Sequence, residues 1–258
     1  MASKIKTVLI DLSGTLHIDN TVIPGAVEAL NRLRRADLHI KFVTNTTKES
    51  KTSLHGRLIN LGFEIKKEEI FSSLSAAREA IISRKLNPHL LIDPAAMEDF
   101  EDLIMTEPFD AVVVGLAPDK FNYEELNKAF RLLLNGASLI AVHEGRYYKR
   151  QDGLALGPGA FVKGLEYSAN VKSEVIGKPT PEFFNTALGG IPPEEAVMIG
   201  DDVKDDIGGA QAVGIKGFLV QTGKYRPGDE NIITPPPTQL CPSFVEAVEE
   251  VLQMVAKK

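Results

Sequence analysis

The sequence predicts an α/β protein: a Rossmann-like, doubly wound parallel sheet core with a second, smaller α/β unit inserted into it. Three observations carry this. Short apolar, β-branched runs alternate with helix-period segments along the chain, the pattern of βαβ units and a parallel sheet. The alternation occurs as two sets, one in the middle and one split into flanking halves. Three strands of the flanking set end in dense polar clusters, as strands do when a ligand site lies beyond their carboxyl ends.

In chain order, Thr7 to Ile10 is a strand, stopped by the polar loop Asp11 to Asp19. Pro24-Gly25 opens a helix in which Val27, Leu30 and Leu33 recur at helical spacing. His39 to Val43 alternates as a strand and ends at Thr44-Asn45, and a polar helix runs from about Lys48 to Asn60 before Gly62. In the middle, Leu90 to Ile92, Ala111 to Val114 and Ser138 to Val142 read as strands, with helices around Ala95 to Leu103 and Tyr123 to Leu134. The flanking theme then returns. Ala196 to Ile199 and Lys216 to Val220 are strands, and Pro242 to Ala256 is a helix with Phe244, Val248, Val251, Leu252 and Val255 on one face. The expected division is 1–83 and 172–258 for the outer unit and 84–171 for the insert.

Composition narrows the function. A chain of 258 residues can bury a large core without disulfides or metal to hold it. Lys+Arg 29 against Asp+Glu 35 gives a net charge of −6, which argues against nucleic-acid or anionic-membrane partners. Cys241 is the single cysteine, flanked by Leu240 and Pro242, and reads as structural. The apolar run Val8 to Ile10 ends at Asp11 before an export signal could form, and Ala111 to Ala117 is far short of a membrane span. A cytoplasmic protein is expected.

The chemistry should sit in Asp11-Leu12-Ser13-Gly14-Thr15, Thr44-Asn45-Thr46-Thr47, Gly177-Lys178-Pro179 and Gly200-Asp201-Asp202 running on to Asp205-Asp206. Together they supply carboxylates, hydroxyls, one lysine and glycines that free backbone amides, an inventory suited to Mg²⁺ and phosphate. Each piece alone has a plainer reading. Asp11 can be a turn residue, Thr44 and Asn45 cap residues, Lys178 a solvated charge, and the aspartates an acidic helix start.

In this order, on this framework, the four clusters resemble the motifs of the haloacid dehalogenase superfamily, in the subclass with a large α/β cap between its second and third motifs. The resemblance spans essentially the full chain. It implies a phosphatase in which Asp11 is the nucleophile, held with Leu12 and Ser13 against the phosphoryl group. Thr44 and the amides around Asn45 would bind phosphate, and Lys178 would neutralise nucleophile and phosphate. Mg²⁺ would be ligated by Asp11, the carbonyl of Ser13 and Asp201, with Asp206 in support. It also implies a small phosphorylated substrate and a homodimer through the cap.

One position departs from the family pattern. Phosphatases of this superfamily usually carry a second Asp two residues after the nucleophile, as general acid and base, and here it is Ser13. A serine is a poor proton donor near neutral pH, and such catalysis is worth ~10² to 10⁴ in rate. Three readings stay open: a weak or inactive phosphate-binding scaffold, a phosphatase for labile P–N, acyl-phosphate or pyrophosphate bonds, or a proton supplied by His17 or His143. The segment His143 to Arg150, rich in aromatics and cations, reads either as a substrate- or partner-facing loop or as a solvated turn.

Overall fold

The computed structural model describes residues 5–103 and 105–256. The flanking halves build β1 (Thr7–Ile10), a small ribbon of β2 (His17–Ile18) and β3 (Thr21–Val22), α1 (Ala26–Arg34), β4 (His39–Thr44), α2 (Lys51–Asn60), β5 (Ile70–Ser72) and α3 (Ser73–Arg84). The middle adds β6 (Pro88–Leu91), β7 (Ala111–Val114), α4 (Tyr123–Leu134), β8 (Ser138–Ala141), the strands β9 (Tyr147–Arg150) and β10 (Gly153–Leu156), α5 (Gly159–Ala169) and β11 (Ser173–Val175). The chain closes with α6 (Pro181–Leu188), β12 (Ala196–Gly200), α7 (Gly209–Ala212), β13 (Lys216–Val220), β14 (Gln239–Cys241) and α8 (Phe244–Ala256).

The larger sheet has the order β14-β13-β12-β1-β4-β5, and each of its pairs is parallel. Its central strands β1 and β12 are buried along their whole length, and all but Thr7 of their residues are apolar or glycine, because both faces are covered. Val8 and Ile10 pack with Leu30, Leu33, Phe244, Val248 and Val251 on one face. Leu9, Val43 and Met198 meet Phe183, Phe184 and Ala187 on the other. Each of the larger side chains among them contributes about 1.5–3 kcal/mol when fully buried. The helix starts are set locally: Ser50, Ser72 and Asn122 accept from the amides of Ser53, Ser75 and Glu125, capping α2, α3 and α4.

The smaller sheet, β11-β8-β7-β6, is likewise parallel. Val113 and Ile140 pack against Leu74, Ala77 and Ile81 of α3, while Val112 and Val114 face Ala129, Leu133, Val162 and Leu165. Strand β11 thus pairs into the smaller sheet beyond residue 171, and α3 covers it from before residue 84. We propose a division in which the inserted unit runs to the end of β11. The antiparallel hairpin β9–β10 stands apart from both sheets. At its tip Gln151 donates from its amide N to Asp19 Oδ2 at 3.1 Å, and from Nε2 to Thr21 Oγ1 at 3.2 Å.

One expected helix is corrected. Ala95 to Leu103 forms a short 3₁₀ winding, Pro94–Phe100. Ala96 and Phe100 are both buried, which mimics helical spacing, but Asp93 caps a tight start at Ala95 and the winding ends within seven residues. Among the described residues no helix is long and apolar enough to cross a membrane. Cys241 is buried, and burial followed by Glu250 and Glu246 pushes its thiol up to about 11, an inert state.

Candidate active site

The carboxyl ends of β1, β4, β12 and β13 converge on one cavity of about 330 Å³. At its floor Asp11, the first residue after β1, is buried. Its Oδ1 accepts from Lys178 Nζ at 2.6 Å, and the same ammonium donates to Asp206 Oδ1 at 2.6 Å and to the Val43 carbonyl at 2.9 Å. Three polar oxygens therefore fix one buried cation. The lysine backbone is itself clamped. Asn45 accepts from Lys178 N at 3.1 Å and donates through Nδ2 to Lys178 O at 3.0 Å. Gly177 permits this approach, since a Cβ there would lie 2.5 Å from Asn45 Oδ1 and 2.7 Å from the Val142 carbonyl.

Asp11, Asp201 and Asp206 each offer an oxygen, and the three lie within 4.8 Å of one another. Asp201 is pressed between two glycines. A Cβ on Gly14 or on Gly223 would sit 2.0 Å from its Oδ2, and both glycines have left-handed backbones, φ +93 and +58. Lys224 N donates to the same oxygen at 2.6 Å, whereas Asp201 Oδ1 is buried with no hydrogen-bond partner. Asp202 caps the π-helical stretch Val203–Gly208 by accepting from Lys204 N and Asp205 N. That stretch carries Asp206 back under β12, where its Oδ2 accepts from Asp202 N at 3.0 Å.

Among the described residues, Asp11, Asp201, Asp202, Asp205 and Asp206 face two buried ammonium groups, Lys178 and Lys224. Burial, with Asp11 and Asp206 nearby, holds the Asp201 carboxyl well above its ordinary range. Burial raises Asp206 to about 6, and burial with Asp202 raises Asp205 to about 7. Burial works against the charge of both lysines, yet the surrounding carboxylates outweigh it and push each upward. The surplus negative charge, the all-oxygen donor set and the orphaned Asp201 Oδ1 fit a hard divalent cation.

The family described as haloacid dehalogenase-like hydrolase matches residues 8–102, and a HAD-hydrolase-like family matches residues 175–247. The chain is 57% identical over 251 residues to the human haloacid dehalogenase-like hydrolase domain-containing protein 2, covering 96% of each chain. It belongs to the haloacid dehalogenase-like hydrolases. This hydrolase is also 40% identical over 263 residues to the phospholysine phosphohistidine inorganic pyrophosphate phosphatase of Rattus norvegicus, covering 99% of this chain and 97% of the relative. The crystal structure of a 4-nitrophenylphosphatase from Thermotoga maritima superposes with a TM-score of 0.87 at 27% identity, over 96% of this chain and 97% of that one. The hydrolase is a phosphatase of small phosphorylated substrates, with a parallel-sheet core and an inserted cap.

Of the residues singled out in the sequence, Asp11, Ser13, Thr44, Asn45, Lys178 and Asp206 line the cavity, and Asp201 adjoins Asp11 and Asp206 behind it. Leu12 points its side chain into the core between sheet and helices. Thr44 Oγ1 is buried and engaged with Thr46, donating to its Oγ1 at 2.9 Å and accepting its amide at 3.0 Å. The sequence reading missed Lys224, whose Nζ lies 3.1 Å from Asp202 Oδ2, and missed Gly223 before it. The available signal was Gln221-Thr222-Gly223-Lys224 at the end of β13, a fourth polar cluster beside the other strand ends. The segment His143 to Arg150 enters the hairpin, and His143, Tyr147, Tyr148 and Lys149 reach the cavity wall.

Proposed function

We propose that this phosphatase is Mg²⁺-dependent and works through a covalent aspartyl-phosphate on Asp11, on substrates whose leaving group needs little protonation. The observation that carries the reading is Asp11 at the cavity floor, held by Lys178 at 2.6 Å and grouped with Asp201 and Asp206. An Asp11 oxygen bonds to phosphorus as the bond to the leaving group breaks. Water then attacks phosphorus, releasing phosphate and restoring the carboxylate. Lys178 offsets the negative charge that gathers when a carboxylate approaches a phosphate. Asp11, the Ser13 carbonyl and Asp201 would hold Mg²⁺, with Asp206 positioning Lys178. When bound, the ion supplies charge neutralisation at the phosphoryl oxygens. Thr44 and the Asn45 amide would cradle those oxygens, and Asn45 keeps Lys178 in place.

The proton question narrows the substrate. His17 and His143 both line the cavity, each with a buried, unpartnered Nε2. Burial, then Arg57, lowers His17 to about 4, and burial with Lys224 and Lys178 lowers His143 to about 3. A neutral imidazole has no acidic proton to give at pH 7, so neither replaces the acid absent at Ser13. Phosphoramidates, acyl phosphates and pyrophosphate depart with little such help, and the name of the rat relative is in keeping with that class. Exposed Leu154 and Leu156 on β10, with Tyr167 on α5, support self-association through the cap, which sedimentation would test.

The direct experiment is phosphate release from acetyl phosphate, a phosphoramidate, pyrophosphate and an alkyl phosphate, with and without Mg²⁺, for wild type and Asp11→Asn. Turnover of the labile donors, lost in Asp11→Asn and in chelator, is expected. Turnover that survives Asp11→Asn overturns the nucleophile. Silence on all four from folded wild type points instead to a phosphate-binding scaffold.

A further inference from the structure

The cavity mouth has a charge pattern the phosphoryl site does not use. Lys48, from the loop between β4 and α2, and Lys149, on β9, line the same cavity as Asp11 from opposite sides of the boundary between core and cap. Lys48 Nζ rests over the Tyr148 ring at 4.9 Å. The neighbouring Tyr147 ring carries two guanidinium groups, Arg146 at 5.4 Å and Arg226 at 5.1 Å from its centroid. None of these four cations pairs with a carboxylate among the described residues. The acids at the mouth are engaged elsewhere: Glu49 accepts from Arg57 through both oxygens, at 2.5 to 3.1 Å, and Asp19 accepts from the Gln151 amide. In a chain of net charge −6, an unpaired cationic rim above a phosphate-directed floor concentrates field on incoming anions. A substrate with one phosphoryl group satisfies the floor and leaves the rim unmatched.

We propose that Lys48 and Lys149 form a second anion subsite, so that the preferred substrate carries a phosphoryl or carboxylate group on the part that leaves. This rests on the phosphatase reading for its orientation: the scissile phosphoryl lies at Asp11 and the second anion at the mouth. Tyr148 keeps Lys48 turned toward the cap until an anion takes its place, because a cation over a ring is held more weakly than one paired with an oxyanion. Of the labile donors, pyrophosphate-like and carboxylate-bearing compounds then outrank acetyl phosphate.

The test is calorimetric binding to the full chain with Mg²⁺ present, using inorganic phosphate, methylenediphosphonate and phosphonoacetate as probes. Wild type is expected to bind at least one two-anion probe about tenfold more tightly than phosphate, and the better of the two identifies the second group. Lys48→Gln and Lys149→Gln should each shrink that ratio about fivefold, the size of one charge-assisted contact at a partly exposed site, and Lys149→Glu should shrink it further. Both side chains sit at the mouth rather than in the core, so the fold does not depend on them. A ratio that the three substitutions leave intact, or no preference in wild type, overturns the subsite. If the lysine-dependent preference holds while Asp11→Asn leaves turnover unaltered, the catalytic reading falls and the subsite stands. If turnover needs Asp11 and the preference is absent, the reverse follows.

Discussion

Ser13 and His17 show how much chemistry rests on single side chains here. Ser13 lines the cavity two residues after Asp11, so Ser13→Asp restores a carboxyl where a general acid would act. Its kcat on an alkyl phosphate is expected to rise at least tenfold, with a smaller gain on acetyl phosphate; a folded variant without that difference would show that protonation does not limit turnover. His17 is buried and its imidazole is lowered from 6.5 to about 4, by burial first and Arg57 second. The folded state binds fewer protons than the unfolded chain between those values. The contribution is therefore complete above pH 6.5 and lost as pH falls toward 4, about 3 kcal/mol in all. Denaturant titrations across that range should give His17→Gln a correspondingly shallower loss of stability on acidification than wild type. Parallel profiles would mean that His17 takes no part in acid sensitivity.

Between elements, a single buried hydroxyl can join loops that follow different strands. Thr47 is buried in the loop after β4, and its Oγ1 accepts from Leu116 N, beyond the end of β7, at 2.7 Å. Thr47→Val keeps the shape and orphans that amide, so the unfolding free energy should fall by about 1–3 kcal/mol; a change below about 0.5 kcal/mol would show the amide finds another acceptor. The elements that were legible in the sequence differ from the rest in length and in pattern. β12 and β7 are uniform apolar runs, and β1 is one after Thr7, because helices cover both faces, and the polar clusters beyond β1, β4 and β12 announced the site. β5, β11 and β14 are three-residue strands at sheet edges, too short for any period to register. Helix α3 opens Ser73-Leu74-Ser75 and buries only a narrow stripe, and the hairpin β9–β10 hides its alternation under Tyr, Lys and Arg. Lys224 had a weaker signal, a short polar cluster after β13, and its partnership with Asp201 and Asp202 follows from β13 lying beside β12.

At the scale of the molecule, the acidic cluster makes metal binding and global stability one measurement. A cation that binds the folded site at a hundred times its Kd adds about 2.7 kcal/mol, which for a chain of this size is a rise of several degrees in Tm. Titrating Mg²⁺ into metal-stripped protein should show that rise in wild type, and Asp201→Asn should lose it; an equal rise in both would place the ion elsewhere. The order of the large sheet also has a consequence during synthesis. Strand β1 meets β4 soon after it is made, but its other neighbour, β12, follows only after the entire inserted unit. At ~5–20 residues per second, a nascent chain waits on the order of ten to forty seconds for that partner. Throughout the interval the ribosome-bound intermediate carries an open strand edge, unpaired amides and carbonyls beside the apolar Val8, Leu9 and Ile10, a natural client for chaperones. It also carries Asp11 without Asp201 or Asp206, so the half-made polypeptide holds a nucleophile with no competent centre around it.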